Sequence, residues 1–360
     1  TMYGELGNDL IYGGAGNDQI NGNGGSDVIF GGNGDDVARG GDGNDFIVGG
    51  TTYSPDDSLF GDSDTLYGDR GDDFILGGPD TRGDYIDGGD GSDWLVGTGD
   101  AGDNIFGGQG EDFAFGGNGD DTIDGGDDGD SVFGGNGDDS ATGGQGEDFV
   151  MDWTGNNTLD GGSDNDFVFG GNGDDSVLGG DGDDMVFGGN GDDILHGGLG
   201  DDIVVGGNGN ALMYGDEGED TFVFDVDSLA PGGVDTIADL SKEDHIFLYY
   251  DGQTEKNDAE ITTNPASVTE KDNILVAVDH GYSGVSEFDQ FLTAGAADTD
   301  KPGFYVFYNS SSNRGEIWFD TNMTSTDNAI LVGVIENVSS AADLKNVVGG
   351  GTFINEDFIV

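Results

Sequence analysis

The chain has 360 residues, with 75 Gly, 75 acidic against 9 basic residues, 5 Pro and no Cys, for a formal charge of −66. Without Cys there is no disulfide framework, no thiolate metal site and no Cys nucleophile. Four Arg and five Lys cannot form the basic stripe that nucleic acid requires, and they disfavour an acidic polysaccharide unless a cation bridges it. No apolar run reaches the roughly 18 residues of a membrane span. So much like charge repels itself in a compact body, so the chain is either disordered or neutralised by cations. The 33% of hydrophobic residues recur at fixed spacing, which disorder does not preserve, and this favours metal as the counterion.

The opening Thr1-Met2-Tyr3 carries no charged-then-apolar leader pattern, and a repeat is in phase from Gly4. The expectation is a piece of a longer protein, or export without a cleaved N-terminal signal. Between Gly4 and Val223 the chain divides into 24 successive windows, most of them nine residues long, with the pattern Gly-Gly-x-Gly-x-Asp-x-apolar-x. The eighth position is apolar in all 24 windows, from Ile11 to Phe222, and the sixth is Asp in 22; Asn157 and Ala211 are the exceptions. Glycines allow the left-handed backbone that a six-residue turn needs and leave carbonyls free to face an ion. The three residues from position seven form a short strand whose middle side chain points inward. Two windows, about 18 residues, make one coil, and coils stack roughly 4.8 Å apart.

Turns two windows apart then lie above one another, and an oxygen-lined gap between them suits calcium at about 2.3–2.6 Å better than magnesium, which demands tighter octahedral geometry. A phosphate-binding loop would need a Lys and a following helix; here each loop ends in carboxylate and strand. The motif resembles the RTX calcium-binding repeats of bacterial exoproteins exported by type I secretion. The resemblance covers about 220 residues and implies an all-β fold, a parallel β-roll, over residues 1–223. It also implies calcium ligands at Asp9, Asp18, Asp27, Asp36, Asp45, Asp57, Asp64, Asp73, Asp84, Asp93 and Asp103. The same role falls to Asp112, Asp121, Asp130, Asp139, Asp148, Asp166, Asp175, Asp184, Asp193, Asp202 and Asp220. Sites needing Asn157 or Ala211 are expected to be weak or absent, leaving at most about 19 ions. Metal binding and folding are expected to be one event, with the chain open at cytosolic calcium and folded at roughly millimolar calcium outside the cell.

Regularity fails between residues 49 and 106, where windows 49–60 and 61–67 are long and short, and 77–87 and 97–106 carry extra residues. Loop insertion at a solenoid edge accounts for them. Outward strand positions in alternate windows carry Phe74/Leu76, Trp94/Val96, Phe113/Phe115, Phe149/Met151, Phe167/Phe169 and Met185/Phe187. The opposite face over the same stretch carries Tyr85/Asp87, Thr122/Asp124, Ser140/Thr142 and Thr158/Asp160. A contiguous apolar ladder on one sheet marks an interface, which we expect to be covered by a second copy of the chain around Phe113, Phe115, Phe149, Phe167, Phe169 and Phe187. Before residue 49 the ladder has the opposite parity, at Leu10/Tyr12, Val28/Phe30 and Phe46/Val48. It would run down one face throughout if residues 49–67 formed a single half-coil.

Residues 224–360 lose the glycine repeat and hold six of the nine basic residues. Strand-like runs at 245–250, 273–278, 304–308, 316–319 and 329–335 predict a β-rich cap on the roll. Segments 234–240, 243–248 and 315–320 resemble the C-terminal region of serralysin-like exoproteins. The ending Glu356-Asp357-Phe358-Ile359-Val360 resembles their uncleaved export signal, an acidic residue followed by apolar ones, which implies recognition by a type I secretion apparatus.

No catalytic constellation appears. His196, His245 and His280 are far apart and form no H-E-x-x-H helix. Gly281-Tyr-Ser-Gly only half matches a nucleophile elbow. Two functions remain open: a structural, self-associating surface protein, or the folding and secretion domain of a longer exoenzyme or adhesin. The outer positions lack the ranked Thr that an ice-binding face needs.

Overall fold

The computed structural model describes residues 1–50, 63–79, 82–225, 233–241, 243–249, 261–262, 274–282, 303–320, 330–340, 344 and 353–354. Among these, every named element is a β-strand, and the chain divides into two compact units, Thr1–Met185 and Val186–Val360.

The first unit is a parallel β-solenoid. Alternate strands fall on alternate sheets, so Leu10–Ala15 pairs in parallel with Val28–Asn33, and Gln19–Gly24 with Val37–Asp42. In regular stretches the partners are 18 residues apart, as with Ile105 and Ile123. The strand begins just after the Asp, and the apolar eighth residue points inward. Ile29, Ile47, Ile75, Leu95, Ala114, Val132, Val150 and Val168 are all fully buried. Burying one aliphatic side chain contributes about 1.5–3 kcal/mol, and a single stack of such residues is a thin core for so acidic a body. The rest of the stability must come from elsewhere.

Glycine serves two separate needs in the turn. The second and fourth positions are left-handed, with φ of 117° at Gly117 and 118° at Gly119; where glycine is missing, Asp69 (φ 75°) and Asp128 (φ 75°) take its place. The first position is not left-handed. There a side chain is excluded by space: a Cβ on Gly125 would lie 2.5 Å from both Asp130 Oδ2 and the Gly143 carbonyl oxygen.

Across the irregular stretch 49–67 the strand pairing advances by one half-coil, not two. Val37–Asp42 pairs directly with Thr65–Arg70, and Phe46–Gly50 directly with Phe74–Leu76. Among the described residues from Gly4 to Val223 there are therefore 23 half-coil strands where sequence windows count 24. Apolar pairs on both sides of the insertion share a sheet as a result.

In the second unit the solenoid continues past the end of the glycine repeat. Leu212–Glu217 pairs in parallel with Asp235–Ile237, which pairs with Ile330–Ile335; Thr221–Asp225 pairs with His245–Tyr249. Only then does the sheet turn antiparallel, through Arg314–Asp320 and Gly303–Asn309. All five expected strand runs coincide with strands, the fifth being Ile274–Tyr282. Glu316 is buried there and accepts hydrogen bonds from Asn309 (2.9 Å), Ser312 (3.1 Å) and Trp318 (3.0 Å), which fixes the antiparallel hairpin.

Candidate metal centre

The sixth-position aspartates form two ladders, one along each edge where a turn meets a strand. In the first, the amide N–H of each Asp donates to Oδ1 of the Asp one coil on. This joins Asp9, Asp27, Asp45, Asp73, Asp93, Asp112, Asp130, Asp148, Asp166 and Asp184 at 2.6–2.8 Å. In the second, Asp18, Asp36, Asp64, Asp84, Asp103, Asp121, Asp139, Asn157 and Asp175 are joined at 2.7–2.9 Å. Asp57 lies outside the described residues, and the ladder passes from Asp36 to Asp64 without it. The second unit holds Asp193 and joins Asp202 to Asp220 (3.0 Å).

The other carboxylate oxygen is the informative one. Oδ2 of Asp9, Asp27, Asp45, Asp73, Asp93, Asp103, Asp112, Asp121, Asp130, Asp139, Asp148, Asp166 and Asp220 is buried and meets no hydrogen-bond donor. A buried carboxylate oxygen with no partner is costly. Each points toward the first glycine of its window, and in the regular coils the first-position carbonyl of the next coil points to the same place: Asp9 Oδ2 and the Gly22 carbonyl beside Gly4, Asp130 Oδ2 and the Gly143 carbonyl beside Gly125. The nearest polar atoms at these two cradles are oxygens. Among the described residues no three His, Cys, Asp or Glu side chains converge, so each cradle combines carboxylate with backbone carbonyls. That donor set fits a hard cation with high coordination number, as calcium has, and does not fit zinc.

Burial pushes these carboxyls upward, Asp73, Asp112 and Asp121 to about 7 and Asp130 and Asp166 to about 8. The amide bond to Oδ1 offsets part of the rise, and like charges in adjacent coils add to it. At neutral pH the roll thus holds a column of carboxylates that need a proton or a cation.

Three carboxylates lie outside the sequence-based set. Asp235 Oδ1 accepts from the Ala211 amide (2.9 Å) and Asp244 Oδ1 from the Asp220 amide (3.4 Å), extending the ladders beyond residue 223. The Asp-x-apolar spacing, Asp235-Thr-Ile and Asp244-His-Ile, persists there after the glycines have gone. The third, Asp152, stands at a first position otherwise held by glycine and is fully buried. Asn157 keeps its place in the ladder, but its amide nitrogen donates to the Gly170 carbonyl (3.3 Å), so the cradle closes on itself. His196 contacts Asp216 (2.8 Å) and stacks on Tyr214, an outward arrangement on one strand pair.

The outer aromatic ladder is continuous in the first unit. Rings follow one another from Tyr12 through Phe30, Phe46, Phe74, Trp94, Phe113, Phe133 and Phe149 to Phe167, with centroids 4.4–6.1 Å apart. Trp153 lies against Phe115 and Phe133. Phe113, Phe115, Phe149, Phe167 and Phe169 are half-buried, as is Phe187 in the second unit.

The RTX calcium-binding nonapeptide repeat (4 copies) matches residues 1–29, 21–51, 56–82, 97–132, 124–151, 154–186, 178–213 and 187–222. No curated protein matches the chain. The matched segments span more than half of the sequence and follow the two aspartate ladders, and the chain belongs to the family of RTX calcium-binding nonapeptide repeat proteins.

Proposed function

We propose that this chain is a secreted module that calcium folds outside the cell, each sixth-position Asp ligating through Oδ2. The row of buried Oδ2 atoms without a donor carries this reading. A calcium ion in each cradle would take that oxygen together with the glycine carbonyl of the next coil and remove the repulsion between coils. Merging 49–67 into one half-coil lowers the ceiling of about 19 ions to about 18, and each ion cancels two of the 66 excess negative charges. Low calcium in the producing cell would keep the chain open for a type I exporter that reads Asp357, Phe358, Ile359 and Val360. Those four residues lie outside the described set. The chain itself has no catalytic role in this reading; it serves as the folding and export part of an exoprotein. Circular dichroism and small-angle scattering test it: chelator should convert the roll to an expanded coil, and calcium should restore it. A compact β-rich chain in excess chelator would refute it.

A second role, self-association into a dimer or surface layer, is favoured by the unbroken ring stack from Tyr12 to Phe167. Fully covering one Phe contributes about 1.5–3 kcal/mol. A second copy of the same face supplies the apolar cover, and salt should strengthen the contact by screening the remaining negative charge.

A further inference from the structure

The turn that begins at Asp152 departs from the repeat twice, with Asp for Gly at position one and Asn157 for Asp at position six. In a regular rung the second-position amide donates to the first-position carbonyl of the next coil, as Gly50 does to Gly77 (2.8 Å). Here the Gly135 amide donates instead to Asp152 Oδ2 (3.0 Å), while Asp152 Oδ1 accepts from the Thr154 amide (3.0 Å). The carboxylate has thus taken the place of a glycine carbonyl. Beside Gly134 it meets Asp139 Oδ2, which is buried, meets no donor and would lie 2.7 Å from a Cβ on that glycine. Both residues are almost wholly excluded from solvent, Asp139 at 2% exposure and Asp152 at 0%. Two buried carboxylate oxygens aimed at one point repel each other unless a proton or a cation lies between them, and a cation bound there displaces the proton.

We infer that the cradle between residues 134–142 and 152–160 is a divalent-cation site held by two carboxylates, Asp139 and Asp152, where the other cradles offer one. The carboxylate lost at position 157 is regained at position 152, one cradle earlier. The second carboxylate makes this rung the first to fill, since ligand charge tunes calcium affinity. The inference rests on the cradles being calcium sites.

The test is a calcium titration of the full chain, with terbium emission excited through Trp153 as a local probe and hydrogen exchange of the Gly135 amide as a second readout. The first equivalent of terbium should light the wild type but not Asp152→Asn. Asp152→Gly restores the consensus turn and so keeps the fold. It should bind here at least about tenfold more weakly, while the other cradles load as before. An unchanged first phase in both variants overturns the inference, as does a wild type in which this rung stays dark while the others fill. Absence of calcium uptake along the whole chain would overturn the proposed function as well.

Discussion

Asp130→Asn separates the charge of a cradle from its hydrogen bonds. Asp130 Oδ1 accepts from the Asp112 amide (2.7 Å), and an Asn oxygen keeps that bond. The new amide nitrogen stands where Oδ2 faces the Gly143 carbonyl and can donate to it, as Asn157 does to Gly170 (3.3 Å). The fold therefore loses little besides one ion. With calcium at about 100 times the dissociation constant, one lost site costs roughly 2.7 kcal/mol, and the regained hydrogen bond offsets about 1 kcal/mol. A net loss of about 2 kcal/mol should appear as reduced hydrogen-exchange protection in the coils carrying Asp112 and Asp148, with one calcium fewer bound. Without calcium the sign reverses. The Asp130 carboxyl is pushed up to about 8, chiefly by burial, so removing its charge relieves the metal-free roll at neutral pH. In chelator the variant should hold β-structure to higher pH than the wild type. Equal protection and equal calcium counts would refute the reasoning, and so would a loss of the same size in chelator.

Acid should partly replace calcium. The ladder carboxyls titrate higher in the metal-free roll than in the unfolded chain. Their contribution is thus present below about pH 4 and lost as pH rises toward 7–8. In chelator, circular dichroism should show more β-structure at pH 5 than at pH 8; the opposite trend would contradict the burial of these groups. Deleting residues 357–360 should abolish export by a type I system and leave calcium stoichiometry unchanged, as assayed by secretion and by equilibrium dialysis. Changing Phe167 and Phe169 to Ser should also spare calcium binding but abolish association in calcium, as read by analytical ultracentrifugation; a wild type that stays monomeric at high concentration would remove the self-association role.

Much of this architecture is legible in the residues because one spacing carries it. Asp followed two residues later by an apolar side chain sets both the ladder bond and the core stack, so Asp9-Leu-Ile through Asp220-Thr-Phe read directly as rungs. What counting windows does not reveal is phase across an insertion. Residues 49–67 contain enough Gly and Asp to read as two windows; the parity of the apolar ladder on either side asks for a single half-coil, and the pairing of Val37 with Thr65 and Phe46 with Phe74 agrees. Glycine spacing marks where the repeat motif stops, and parallel pairing runs on past it into Asp235–Ile237 and His245–Tyr249. Turn glycines answer local needs of φ and space, whereas Asp235 and Asp244 keep the ladder going without them. Asp152 shows the converse. Read by position it is a defect in the motif, and only the acceptor geometry at Gly135 reveals that its carboxylate replaces a backbone carbonyl.

Anomalous diffraction from crystals grown in calcium tests the central claim most directly. Each cradle should hold one ion about 2.3–2.6 Å from its Asp Oδ2, for instance between Asp130 and the Gly143 carbonyl, with none between Asn157 and Gly170. Cradles that bind only water in saturating calcium, or ions confined to the outer acidic turns, would contradict the account.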